Sequence, residues 1–178
     1  DANGSPTPDT PANVRAFEWL KGYATRYGRD NLTRFREGFG NFDSPQNAFI
    51  DGKVSMVLQG VFFSQFIDRH RPALRYGVAA FPCAAGVAGP RSFLTEDNIG
   101  IPRGCKHPEA AWKFVLWTQR RGLEIICRLQ GKHLPLMSVP ENFRQGHPNR
   151  FVQVFEDLAK SPEAFIIPTS IIWQEYRD

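Results

Sequence analysis

The chain has 178 residues, of which 42% are apolar and 22% charged, and a formal net charge of +4; this is ordinary for a globular protein and enough for one domain with a real core, or for two lobes of which one is small. Its basic residues are scattered, densest at Arg69-His70-Arg71 and Arg120-Arg121, and without a basic stripe nucleic acid is not an expected partner. No apolar run approaches the roughly 18 residues that a membrane-spanning helix needs.

Residues 1–10, rich in Pro, Gly, Asp and Thr, read as a loop. Thr10-Pro11 starts a helix that reaches about Tyr27, with Val14, Phe17, Leu20, Ala24 and Tyr27 on one face, and Gly28 ends it. Residues 29–43 place Phe35, Phe39 and Phe42 among glycines and charges and are expected to form a loop packed on a sheet. Ser44-Pro45 signals a second, short helix that runs into Asp51-Gly52, where glycine permits a positive φ. Lys53 to Leu58 alternates, with Val54, Met56 and Leu58 on one face, which predicts a strand. Gly60 stops that strand, Val61-Phe62-Phe63 follow, and a short helix through about Asp68 completes the unit. Aromatic rings placed just after a strand stand at the carboxyl edge of a sheet, where ligands of open α/β folds usually sit.

Arg75 to Phe81 reads as another strand, ending at Pro82, and residues 83–92 as a linker of small residues. The glycines near Arg91 lack the Gly-Lys-Ser/Thr of a phosphate cradle. Phe93 to Ile101 is a predicted strand carrying Glu96 and Asp97, with Pro102-Arg103-Gly104 as a turn. His107-Pro108-Glu109 opens a long helix so widely apolar (Ala110, Ala111, Phe114, Val115, with Trp112, Leu116 and Trp117 beside them) that burial on more than one side is expected. A further helix runs from about Leu123 to Gln130 and stops at Gly131; residues 138–149 are loop; Phe151, Val154, Phe155, Leu158 and Ala159 mark a last amphipathic helix ended by Ser161-Pro162.

Catalytic signatures are absent: no Gly-x-Ser-x-Gly elbow, no His-Glu-x-x-His, no P-loop. Glu96 and Asp97 are adjacent, so on a strand they point to opposite faces and cannot flank one glycosidic bond. His70, His107, His133 and His147 lie in four separate segments without ligand spacing, and neither a metal nor a cofactor is expected. Cys83, Cys105 and Cys127 show no Cys-x-x-Cys pattern; they read as buried structural thiols, with a Cys105–Cys127 bridge as the alternative in an oxidising compartment.

Two stretches carry a family resemblance. Ala48-Phe49 followed by Gly52-Lys53-Val54-Ser55-Met56, Gly60 and an aromatic, and the run Ile101-Pro102-Arg103-Gly104 to Pro108-Glu109-Ala110-Ala111 and Phe114, resemble the bacterial extracellular solute-binding proteins of the maltodextrin type, which feed sugar ABC importers. Tyr76-Gly77-Val78 to Pro82, His133-Leu134-Pro135-Leu136, and Pro168 to Trp173 are looser similarities. The resemblance implies an α/β, periplasmic-binding-protein-like II fold, a two-lobed clamp of which this chain is the C-terminal half. Residues 1–82 and 132–178 would belong to the larger, C-terminal lobe, incomplete here, and 83–131 to the other, N-terminal lobe. It implies a carbohydrate ligand, mono- or oligosaccharide, held without chemistry, an ABC permease in the inner membrane as partner, and a periplasmic or extracellular location with lipid anchoring through a missing N-terminus as one form. Ligand contacts would fall to Phe62, Phe63, Trp173 and Tyr176 as rings and to Gln59, Glu96 and Asp97 as polar groups. The family commonly has tryptophan where this chain has Phe62, a smaller stacking surface. The competing expectation is an α/β catalytic or regulatory domain acting on a sugar or nucleotide.

Overall fold

The computed structural model describes residues 9–83, 90–95 and 97–166. In chain order its helices are α1 (Pro11–Tyr27), α2 (Arg29–Glu37), α3 (Phe63–His70), α4 (Pro108–Trp117), α5 (Leu123–Leu129), α6 (Glu141–Arg144) and α7 (Val152–Ala159). Two short strands, β1 (Phe93–Leu94) and β2 (Phe165–Ile166), pair in parallel with Phe93 opposite Phe165, so the described residues are helical with little sheet.

Helix α1 begins as its sequence requires: the Thr10 side chain accepts from the Asn13 N–H at 3.3 Å, proline occupies the first turn, and Gly28 ends the helix at φ +79°. Its apolar face is nevertheless uncovered, with Phe17 68% and Leu20 55% exposed and no α1 residue buried. Periodicity predicted the helix but not a partner for it. The expected loop at 29–43 contains α2 instead. Asp30 lies in its first turn and Arg34 and Arg36 in its last, matching the helix dipole, and Arg34 donates to the Asn31 side chain at 2.9 Å one turn away.

The expected helix after Ser44-Pro45 is a chain of turns. The Asn47 carboxamide oxygen accepts from Phe49 N–H at 3.0 Å and Ile50 N–H at 3.3 Å, and its carbonyl accepts from Asp51 at 2.8 Å. An asparagine able to satisfy the backbone itself competes with a helical ladder. These turns, closed by Gly52 at φ +78°, seat Ile50 beside Phe63 and Ile67 of α3, with Phe49, Phe66, Leu74 and Tyr76 around them. The Arg71 guanidinium donates to the Ile50 carbonyl at 2.8 Å and fixes the far end of α3 to the same turns.

Lys53 to Leu58 and Arg75 to Phe81 are not paired as strands among the described residues, and Met56 and Leu58 are 87% and 74% exposed. Among the described residues of the strand predicted at Phe93 to Ile101, only Phe93 and Leu94 pair. A strand is stabilised by its neighbour rather than by itself, so alternation alone does not secure it.

The turn at Pro102 forms, with Cys105 N–H donating to the Pro102 carbonyl at 3.0 Å, and Pro108 opens α4. Helices α4 and α5 are joined through a π-helical turn, Thr118–Gly122, which carries the chain on without a break. Gly122 fits there because a β-carbon would lie 2.9 Å from the Trp117 ring. The expected burial of α4 on several sides does not hold: only Val115 is buried, and Trp112, Phe114 and Trp117 are each more than half exposed.

A second core forms where α5 meets the following segment, with Cys127, Leu134 and Phe143 buried and Leu123 and Val139 against them. Phe143 belongs to α6, a single turn within the residues expected to be loop, too short to show periodicity. The Arg128 guanidinium lies 5.1 Å from the Phe143 ring centroid and donates to the Asn142 carbonyl at 2.8 Å and the Gln145 carbonyl at 3.2 Å. Cys127 is thus a core thiol that does not pair with Cys105, while Cys83 is exposed. Helix α7 turns Val152 and Glu156 inward, rotated from the face predicted. Glu156, 1% exposed, accepts through Oε2 from Nε and Nη2 of Arg144, a forked pair that offsets its burial. Its Oε1 and the nearby Nδ1 of His133 are buried and have no hydrogen-bond partner among the described residues.

Two outcomes follow from this packing. Phe143→Ala, at a site 0% exposed, is expected to cost about 3–5 kcal/mol in denaturant unfolding, whereas Met137→Ala, 95% exposed, changes stability by under about 0.5 kcal/mol. A Phe143 loss below about 1 kcal/mol would contradict the core assignment. Burial holds the His133 imidazole below its ordinary range, Glu156 opposing that shift and Lys132 adding to it. The unfolded chain therefore takes up the proton first, and His133's contribution, complete above about pH 6.5, is lost as the pH falls through that value toward the lower folded one. Stability measured across this range should fall toward acid in the native protein and less steeply in His133→Gln; identical slopes would refute the assignment.

Candidate functional site

The turn after Gly60 carries Phe62, the predicted ligand ring. The Gly60 carbonyl accepts from Phe63 N–H at 3.1 Å, closing a turn that leads directly into α3, and the Ser64 hydroxyl donates to the Val61 carbonyl at 3.3 Å. A β-carbon on Gly60 would lie 2.7 Å from Cε1 of Phe62, so glycine is what lets that ring fold back over the backbone. Phe62, half-buried, meets Phe42 edge-on with centroids 5.5 Å apart, and Phe42 meets Phe66 in the same way at 5.5 Å. The Arg69 guanidinium stands 5.8 Å from the Phe66 centroid. Phe42 is 45% exposed, so the cluster keeps one ring surface toward solvent. Such edge-to-face contacts hold rings at fixed angles at little entropic cost.

The predicted ligand residues are distributed unevenly around this cluster. Gln59 and Phe62 lie three residues apart in the chain, both half-buried. Phe63 turns the other way, 5% exposed in the first core with its ring 6.1 Å from Phe49. Asp97 is exposed and forms an ion pair with Lys132 Nζ at 3.1 Å. Glu96, Trp173 and Tyr176 lie outside the described residues.

Asn149 was not singled out from sequence, yet its side chain organises this region. It is 2% exposed; Nδ2 donates to the Gly131 carbonyl at 3.0 Å and the Val61 carbonyl at 3.3 Å, and Oδ1 accepts from Phe151 N–H at 2.9 Å. Next to it, the His147 ring bridges two segments, with Nδ1 3.1 Å from the Asn149 nitrogen and 3.2 Å from the Asn149 carbonyl oxygen, and Nε2 3.2 Å from the Lys132 carbonyl oxygen. Phe42 was likewise read only as a loop aromatic. Neither contact has a local signal, because each partner is distant in the chain.

A separate polar cleft of about 90 Å³ is lined by Asp68, Pro72, Leu74, Tyr76, Pro148 and Arg150. The Arg150 guanidinium lies beside the rings of Tyr76 and Phe151, 5.1 and 4.7 Å from their centroids, which are 5.2 Å apart, and donates to the Tyr76 carbonyl. Burial, then the charge of Asp68, push the Tyr76 hydroxyl pKa up, with Arg150 acting against them. This cleft is well below the roughly 300 Å³ at which ligand pockets begin, and it holds none of the predicted ligand residues. Among the described residues no group of three or more His, Cys, Asp or Glu could hold a metal ion, and no helix is long and apolar enough to cross a membrane.

Comparison with known proteins assigns a family to this chain. The family described as bacterial extracellular solute-binding protein matches residues 1–120. Proteins of Brucella abortus (strain 2308) and Brucella suis biovar 1 (strain 1330), whose assigned names go no further than a binding protein, are 41% identical over 71 residues. That match covers 39% of this chain and 17% of each relative, so the two share only a limited part of the relatives' length. No solved structure matches. From the family match over most of its length, this chain belongs to the bacterial extracellular solute-binding proteins.

Proposed function

We propose that the chain is part of the substrate-binding component of an ABC importer, and that it binds a saccharide on the aromatic surface at Phe62 without making or breaking a bond. The observation that carries this reading is a partly solvent-facing group of rings, Phe42, Phe62 and Phe66, built on the turn after Gly60 in a member of a solute-binding family. Sugar rings offer apolar C–H faces that lie well on flat aromatic surfaces, while their hydroxyls take planar polar partners. Phe62 supplies the face and Gln59 is the adjacent polar group. Trp173 and Tyr176 are proposed as the rings of a second wall, and Glu96 and Asp97 as further hydroxyl partners.

In this reading residues 1–82 and 132–178 belong to one lobe and 83–131 to the other. A ligand touching both lobes binds the closed arrangement better than the open one, and that difference shifts the population toward closure. A permease in the inner membrane then distinguishes the closed form, on the periplasmic or extracellular side. The uncovered apolar face of α1, and the stretch Lys53 to Leu58, which pairs with no strand among the described residues, support the view that this chain is one portion of the clamp.

Calorimetry of the complete protein against a panel of mono- and oligosaccharides, with product analysis alongside, tests the proposal. Tight binding without turnover is expected, and turnover of any sugar would favour a catalytic domain instead. Phe62→Ala is expected to weaken the best ligand by about 1–3 kcal/mol, roughly 5- to 150-fold. Unchanged affinity would reduce Phe62 to packing.

A further inference from the structure

We propose that Asn149 is a positioning residue for the binding surface: its carboxamide locks the turn that carries Phe62 to the start of the segment that follows α5. The inference rests on Phe62 being the ligand surface, and the contacts it uses are independent of that reading. Asn149 is 2% exposed, and all three hydrogen-bonding positions it uses are engaged with backbone from separate parts of the chain. One amide proton reaches the Val61 carbonyl, immediately before Phe62; the other reaches the Gly131 carbonyl, immediately after the end of α5; the oxygen receives the Phe151 N–H at the start of α7.

The junction is close-packed from the opposite side too. Gly131 has φ +63°, and a β-carbon there would lie 2.8 Å from the Ser64 hydroxyl, which itself donates to the Val61 carbonyl. The Val61 carbonyl therefore takes two donors, one from Ser64 in the first turn of the helix that follows it and one from a residue far along the chain. A carbonyl that accepts from two donors, both at 3.3 Å, is more restricted in rotating its peptide plane than one with a single donor, and the next residue in the chain is the one whose ring meets Phe42. Beyond Gly131 the chain enters Lys132 to Leu134, tied down again by His147 on the Lys132 carbonyl and by the burial of Leu134. In the two-lobed reading that stretch is where the chain crosses back between lobes, so one side chain holds the ring surface and the crossing in fixed relation.

Asn149→Asp separates this role from general stability. It keeps the oxygen that accepts from Phe151 and replaces the donating NH₂ with an oxygen facing two carbonyls. In the complete protein, amide hydrogen exchange is expected to accelerate by about tenfold or more in peptides covering 59–66 and 129–134, and to stay as in the native protein within α7. Unaltered exchange at 59–66, or a rise spread evenly over the chain, overturns the proposal. Asn149→Ser, which removes the amide without adding charge, supplies the same comparison if the aspartate variant does not fold. Maltotriose is the ligand probe. Its affinity is expected to fall about tenfold in Asn149→Asp, and the loss should largely vanish when Phe62→Ala is already present, since a residue acting through another is not additive with it. Additive losses overturn the proposal. A native protein that binds no maltotriose counts against the saccharide reading with that probe, and the exchange at 59–66 then decides the role of Asn149 by itself.

Discussion

Backbone carbonyls and amides that leave regular structure inside a protein must find other partners, and here two asparagine side chains provide them. Asn47 caps the turns that seat Ile50, and Asn149 joins Val61, Gly131 and Phe151. Each is nearly enclosed, at 8% and 2% exposure. A buried amide of this kind adds little net stability while its bonds are made, and leaves several backbone groups unsatisfied if it is removed. That asymmetry makes Asn149 a constraint on geometry more than a source of stability, and the ring surface depends on that constraint.

The aromatic residues near Gly60 divide into two layers for the same reason. Once the turn is fixed, successive residues leave it on different sides: Phe63 enters the core with Ile50 and Ile67, and Phe62 lies over Gly60 against Phe42. The buried layer gives α3 its anchorage through apolar contact, supplemented by Arg71 on the Ile50 carbonyl. The outer layer buries less and is held by ring-edge contacts. It is this incompletely covered ring surface that the proposed binding role uses.

Punctuation was the most readable part of the sequence. Thr10-Pro11, Gly28, the Pro102 turn, Pro108 and Gly131 each act through the conformation of one or two residues, and the structure places helix ends and turns at them. Elements that need a partner were read poorly. Lys53 to Leu58 alternates as a strand should, but pairing depends on another segment, and none supplies it among the described residues. Helix α4 has the composition of a buried helix, yet most of its large side chains are exposed. Helix α6 is too short for periodicity to register, and α2 is held by charges and an asparagine contact where the phenylalanines and glycines drew attention. At the candidate site, Phe62 could be found because glycine and ring are neighbours in sequence. Phe42 and Asn149 could not, since their contacts join segments that only folding brings together.

The central claim is that the ring surface after Gly60 is where the solute rests. A crystal structure of the complete protein with its bound saccharide tests this most directly. The account predicts a sugar C–H face lying against the ring of Phe62, with Gln59 in reach of a hydroxyl and the Asn149 contacts to Val61 and Gly131 retained. A saccharide bound elsewhere, making no contact with Phe62, would contradict it.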